Sequence, residues 1–240
     1  GDYLYVATNT NGLAIIDISD PTTPGTPVYL AGLGQLYGIV VEGDYCIVRG
    51  TSAFRVINVS DPLLPVLKTT VARSRTSGIF INDGYVYASF FNSTDEVSGI
   101  AIYDFSDPTD LGTPVIANTP YADHNYCTEL HVKGGYAYIA HGLGGVAIID
   151  VSDPTTPGTP RYIPTTTEAK VVLPYADTLY VGTYNRGYDI IDITNPLEPG
   201  VAEAYGIGVI RYMAGWHGYL YGVSSSASRI ELQINKITCE

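Results

Sequence analysis

Among 240 residues there are three cysteines, one methionine, one tryptophan and five phenylalanines. The cysteines, Cys46, Cys127 and Cys239, lie far apart. Without a Cys-x-x-Cys pair there is no zinc or thioredoxin-like motif, and the odd number leaves at least one thiol without an intramolecular partner. Cys46 sits inside an apolar stretch and reads as a small buried hydrophobe. Cys239 could cross-link to another chain. Cations are also scarce: 12 Lys and Arg against 24 Asp and Glu give a net charge of −12. Binding to phosphate backbones or anionic lipid needs a basic surface, so nucleic acid and the membrane surface are excluded as partners.

Catalytic and cofactor signatures are missing as well. There is no Gly-rich phosphate loop at a strand-to-helix junction, no Gly-x-Ser-x-Gly elbow and no His-Glu-x-x-His. No apolar run is long enough to span a bilayer, and no signal peptide is visible. The expectation is a protein that is not an enzyme and carries no cofactor, no metal and no membrane-inserted segment. Its acidic surface would keep it soluble.

What is abundant points to strands and turns. There are 21 Tyr, 26 Gly and 15 Pro, and the chain is rich in Val, Ile and Thr. These β-branched and aromatic residues fit pleated surfaces, and Gly and Pro punctuate them. The apolar fraction of 45% is that of a globular chain.

The strands fall into a repeat. Gly1-Asp2-Tyr3-Leu4-Tyr5-Val6-Ala7 returns as Gly43-Asp44-Tyr45-Cys46-Ile47-Val48, Asp83-Gly84-Tyr85-Val86-Tyr87-Ala88 and Gly134-Gly135-Tyr136-Ala137-Tyr138-Ile139-Ala140. Weaker copies begin at Ala176 and His217. A second motif, Ile15-Ile16-Asp17-Ile18-Ser19-Asp20-Pro21, recurs at 56–62, 102–108, 148–154 and 190–196, and loses its Ser-Asp-Pro ending in a sixth copy at 229–235. A spacing of about 40 residues holds four short strands and their turns. We read strand a as 37–41, strand b as 3–7, strand c as 14–18 and strand d as 26–30. Gly-Asp and Gly-Gly make a tight a–b hairpin, and Asp-Pro ends strand c, because proline offers no N–H to a ladder. The c strands are apolar on both faces, as a sheet sandwiched between two others requires. The expected fold is all-β: residues 1–240 as one β-propeller of about six four-stranded blades.

The recurring Ile-Ile-Asp-Ile-Ser-Asp-Pro stretch resembles the LVIVD repeat of bacterial and archaeal surface proteins, over nearly the whole chain. The resemblance implies a β-propeller in an extracellular or cell-surface setting and supplies no catalytic residues. The chain departs from the pattern at Asn58, Tyr103 and the sixth c strand. Counting strands, the first unit lacks strand a and the sixth lacks strand d. Three explanations stay open: 230–238 rearranges to close the ring, residues preceding Gly1 are missing, or a neighbouring molecule adds a strand.

Propellers bind ligands where the inner strands begin. Aligning those strands places Gly38, Gly78, Glu129, Val171 and Tyr212 at one position, and Tyr37, Ser77, Thr128, Lys170 and Arg211 one residue earlier. The candidate ligand-binding set is Tyr37, Arg75, Glu129, Lys170, Arg211 and Tyr212, with His124 nearby. A carboxylate among cations either binds a small polar ligand or is satisfied by structural ion pairing. His131 alternates with Glu129, a spacing that could touch one metal ion, but no third ligand is evident. Asp17, Asp104, Asp150 and Asp192 recur at one place in each unit, which reads as a structural hydrogen bond. Extra residues at 92–98 and 118–125 form either a functional rim or drifting surface loops. Asn92-Ser93-Thr94 is a candidate glycosylation sequon, whereas Asn58-Val59-Ser60 occupies the structural Asp position. The expected role is a non-catalytic binding or structural module, extracellular or on the cell surface. Its partner would be a protein, copies of itself or a glycan. The alternative is an enzyme acting on a small polar or sugar substrate at the channel mouth.

Overall fold

The computed structural model describes residues 2–73, 75–92, 97–119, 127–206, 209–216, 219–226 and 229–236, with the side chains of 92, 211, 216, 224–226, 229–231, 233, 235 and 236 excepted. Its regular structure is all strand, in six antiparallel sheets. The first sheet holds β1 (Tyr3–Thr8), β2 (Gly12–Asp17) and β3 (Val28–Leu30). The second holds β4 (Leu36–Glu42), β5 (Tyr45–Gly50), β6 (Ala53–Asn58) and β7 (Val66–Ala72). The third holds β8 (Ile79–Asn82), β9 (Tyr85–Asn92), β10 (Val97–Asp104) and β11 (Val115–Asn118). The fourth holds β12 (Glu129–Lys133), β13 (Tyr136–Ala140), β14 (Val146–Asp150) and β15 (Arg161–Ile163). The fifth holds β16 (Ala169–Tyr175), β17 (Thr178–Thr183), β18 (Tyr188–Asp192) and β19 (Glu203–Tyr205). The sixth holds β20 (Val209–Trp216), β21 (Tyr219–Ser226) and β22 (Arg229–Lys236). Each sheet is one blade, and within it the strands pair in chain order. Among the described residues the expected six four-stranded blades are four of four strands and two of three, with no inner strand beside β1 and no outer strand beside β22.

Local chemistry explains each blade. The a–b hairpin of the fourth turns on Gly134 and Gly135, with φ of 59° and 78°. Positive φ at both central residues is the geometry of a two-residue hairpin that follows strand twist. The c strand ends on an Asx turn. The Asp17 carboxylate accepts the Ser19 N–H at 2.8 Å, and Asp104, Asp150 and Asp192 do the same for Ser106, Ser152 and Thr194. Asn58 repeats it with Ser60 at 3.2 Å. These hydrogen bonds hold the four aspartates below the usual carboxylate range. The recurrent acid is thus a turn device, as its periodicity implies.

Blades hold to one another by side chains. In the second to fifth blades the b and c strands are largely buried on both faces, as in β14, where Val146 to Ile149 are all within 1% of full burial. Five apolar clusters fill five successive junctions. Leu13, Ile15, Cys46 and Val48 join the first blade to the second. Phe54, Val56, Val86 and Ala101 join the second to the third. Tyr87, Ile100, Leu130 and Ile139 join the third to the fourth. Ile148, Ile163, Val172 and Val181 join the fourth to the fifth. Leu173, Tyr180 and Leu220 join the fifth to the sixth. Cys46 is fully buried, and burial pushes its thiol up to about 12. It is a core residue, as the sequence indicates; Cys239 lies outside the described residues.

The third junction also carries a polar lock. The Ser98 hydroxyl lies 2.9 Å from His141 Nε2 and donates to the Thr119 carbonyl at 2.8 Å. All three residues are buried. Ser98 and Thr119 stand at the roots of the two insertions seen in the sequence, most of which lie outside the described residues.

Candidate functional site

The inner strands β4, β8, β12, β16 and β20 pack in succession, and β1 packs on β4. Where these strands begin, they enclose a cavity of about 450 Å³. Its walls include Tyr5 from β1, Tyr37 and Gly38 from β4, Arg49 from β5, Glu129 from β12 and Tyr212 from β20. A second cavity of about 260 Å³ shares Ile39, Ile79, Glu129 and Tyr212 with the first and adds His131 and Met213. The two are successive segments of one central space.

Small residues make room for the charged ones. Gly38 is paired with Arg49 across β4 and β5, and a Cβ on Gly38 would come within 2.4 Å of Arg49 Nε. The guanidinium side chain therefore crosses over a bare Cα into the cavity. Gly78 does the same for β12: a Cβ there would lie 2.7 Å from the Leu130 nitrogen and 3.1 Å from the Glu129 Cα.

Arg49 and Glu129 face one space, yet the ion pair found among the described residues is elsewhere, between Lys170 and Glu168. Burial holds the Glu129 carboxyl up at about 7, against the opposing pull of Arg49 and a backbone hydrogen bond at Leu130. Burial also lowers the Arg49 guanidinium, partly offset by Glu129. Arg49 donates one long hydrogen bond, 3.4 Å, to the Thr76 carbonyl. The result is a cation and a weakly acidic carboxyl, each with spare hydrogen-bonding capacity, between tyrosine walls. Such a constellation can bind a polar ligand of either charge sign or a neutral polyol. Farther in, the His131 ring lies 4.2 Å from Phe80, and its Nδ1 is buried without a hydrogen bond. Burial pushes this imidazole down to about 4. Among the described residues, no group of three His, Cys, Asp or Glu could hold a metal ion.

Of the residues marked in the sequence, Tyr37, Glu129 and Tyr212 come together here. Two others point to different tasks. The Lys170 ammonium is taken by Glu168 and sits 5.6 Å from the Tyr184 ring centroid; Lys170 stands at the register shift between Ala169 and Val171. Arg75, at φ 57°, lies over Phe91 at 5.7 Å. Neither lines the central cavities. The Arg211 and Asn92 side chains and the whole of His124 lie outside the described residues. Arg49 and Tyr5 were missed, since the alignment considered inner strands alone. A signal was present: Arg49 interrupts the apolar run Tyr45-Cys46-Ile47-Val48 opposite a glycine.

This blade pattern and central cavity define a β-propeller. The LVIVD repeat model matches residues 1–26, 34–72, 126–160 and 171–206, more than half of the chain. The chain belongs to the LVIVD repeat family. No curated protein sequence matches it significantly. Among solved structures it is similar to Hsv2 of Kluyveromyces lactis, with 13% identity and a TM-score of 0.66 over 100% of this chain and 71% of that one. It is also similar to the computationally designed Ika8 protein, at 9% identity and a TM-score of 0.59, over 99% of this chain and 81% of that one. Apo AztD from Citrobacter koseri matches at 16% identity and a TM-score of 0.56, over 96% of this chain and 65% of that one. At these identities the likeness is one of fold.

Proposed function

We propose that this LVIVD propeller is a non-catalytic binding module, working outside the cell or on its surface, that seats a small polar ligand in the central cavity. The observation that carries the reading is the pair Arg49 and Glu129, which share a cavity of about 450 Å³ without pairing with each other. Charged groups brought out of water are normally neutralised by a partner. Here the two attract each other without an ion-pair contact, and three tyrosines, Tyr5, Tyr37 and Tyr212, give the walls both apolar faces and hydroxyls. Concave sites with a few convergent polar groups are where small molecules bind. The acidic, Tyr- and Thr-rich surface and the repeat support the location. An enzyme acting on a sugar would need a second carboxylate in the common two-acid mechanism. Glu129 is the one acidic side chain among the described lining residues.

The test is calorimetry with a panel of monosaccharides, uronic acids and amino acids on the wild type, Arg49→Met and Glu129→Gln. A panel member whose Kd rises at least tenfold in both variants, with unchanged circular dichroism, supports the reading. Binding indifferent to both variants, binding to no panel member, or chemical turnover of one overturns it.

A further inference from the structure

The central cavity holds two opposite charges that the fold brings near each other and keeps from touching. Arg49 enters from β5 over the bare Cα of Gly38, and Glu129 from the start of β12, which Gly78 allows to come close. Both line the segment of about 450 Å³. Each biases the ionisation of the other, yet they make no ion-pair contact. The space they share therefore has a guanidinium in one wall and a carboxyl in another.

Deeper in, the wall changes character. The segment of about 260 Å³ is continuous with the first at Glu129 and Tyr212. Apart from those two and His131, its described lining is apolar, with Ile39, Val172 and Met213 among the side chains. The His131 imidazole, pushed down to about 4 by burial, is neutral at ordinary pH. The site is thus doubly charged at its outer end, where Tyr37 is half exposed, and apolar at its inner end.

Charge and shape together decide what such a site holds. An anion pairs with Arg49 alone, and a cation with Glu129 alone. A neutral polyol leaves both without a counter-ion, and its hydroxyls find few partners among the inner apolar side chains. A molecule with an ammonium and a carboxylate on one carbon and an apolar chain beyond it meets all three surfaces. Resting on the reading of the central cavity as a small-ligand site, we infer that its ligand is an α-amino acid with an apolar side chain. The ligand carboxylate takes the Arg49 guanidinium, whose planar fork matches it. The ligand ammonium takes the Glu129 carboxylate. The side chain fills the inner segment against Ile39, Val172 and Met213.

Proton linkage follows from this pose. The free Glu129 carboxyl holds its proton up to about 7, and a bound ammonium favours the ionised form. Binding therefore releases a proton and tightens as pH rises from 5 to 8. The described groups that share the two segments with this carboxyl are Tyr5 of β1, Tyr37 of β4, Arg49 of β5, His131 of β12 and Tyr212 of β20. In that range Arg49 is cationic and His131 neutral.

The test is calorimetry on the 240-residue protein with L-leucine and three relatives. These are 4-methylpentanoate, which lacks the ammonium, isoamylamine, which lacks the carboxylate, and glycine, which lacks the chain. At pH 8 leucine is expected to bind at least tenfold more tightly than each, a comparison that needs no variant to fold. Arg49→Met should weaken leucine at least tenfold and isoamylamine less than threefold, since the amine has nothing to give a guanidinium. Glu129→Gln should weaken leucine at least tenfold and 4-methylpentanoate less than threefold. The leucine Kd should fall at least tenfold from pH 5 to pH 8 in the wild type and less than threefold in Glu129→Gln. Equal affinity for leucine and any of its relatives overturns the inference, as does a variant that weakens all four ligands alike. If a sugar or uronic acid binds with a tenfold loss in both variants and leucine does not bind, the amino-acid class falls and the small-ligand reading stands. If nothing binds, both fall.

Discussion

The junction between the third and fourth blades and the seam between the sixth and first are built from the same repeat, yet they differ in every energetic respect. At the former, Ile100, Leu130, Ala137 and Ile149 are at or within 1% of full burial, and Ser98, Thr119 and His141 add hydrogen bonds where no water competes. At the latter, Leu4, Tyr29, Leu232 and Ile234 are 46 to 63% exposed. The strands on both sides of each junction carry alternating apolar residues. Among the described residues, a connecting segment runs from the third blade to the fourth, through β11 and β12. A blade in this fold is stabilised less by its own ladder than by the neighbours that cover its faces. Repeat arrays behave this way in general, with stability shared between units and their interfaces.

The contrast can be broken most forcefully in the filled junction. Leu130→Ala removes a buried side chain where the surroundings cannot collapse, and should cost about 2–5 kcal/mol in urea unfolding. A loss below about 1 kcal/mol would mean that this junction is no tighter than the seam. Next comes Ser98→Ala, expected to cost about 1–3 kcal/mol because a buried hydrogen-bond network loses its shared member. Equal stability of variant and wild type would show that the lock contributes nothing beyond packing.

Glu129 sharpens the comparison from the cavity side. Its folded carboxyl titrates at about 7, above the ordinary 4.5. Between those two values the unfolded chain has released the proton and the folded one has kept it. Stability therefore falls as pH rises through this window. Glu129→Gln removes the ionisation, so its melting temperature should draw ahead of the wild type by a few degrees on going from pH 5 to pH 8. A constant difference across that range would place the carboxyl in a solvated setting instead. The four Asx-turn aspartates run oppositely. Their lowered values add stability above the ordinary carboxylate range, and it is lost as pH falls through the lowered folded values. The smallest effect belongs to the seam itself: Leu232→Ser should change stability by no more than about 0.5 kcal/mol, since its side chain is already in water. A loss above 1.5 kcal/mol would mean that the seam is covered in solution.

Much of this was legible in the residues. Tyr-x-Tyr alternation, the Asp-Pro stop and the Gly-Gly hairpin depend on neighbours only a few positions away, so strand order and turn chemistry could be read directly. So could the structural role of Asp17, Asp104, Asp150 and Asp192, because a carboxylate bonding an N–H two residues on is a local event. The inner-strand alignment brought Tyr37, Glu129 and Tyr212 to one place, since equivalent strands put equivalent positions at the same depth. It failed for Lys170, which has a nearer carboxylate in Glu168, and for Arg75, whose left-handed backbone turns it onto Phe91. It also missed Arg49, because that side chain enters the cavity from the second strand of its blade, over the bare Cα of Gly38.

The sequence by itself determined the repeat, its strands and the chemistry of its turns, for these are short-range consequences of period, proline, glycine and Asx capping. Tertiary structure alone decided which charges share the central space and which apolar faces stay open. Those outcomes depend on long-range packing between blades, where the approach of Arg49 and Glu129 to one cavity, or the burial of Leu130 between two blades, is set by no residue's immediate neighbours in the chain.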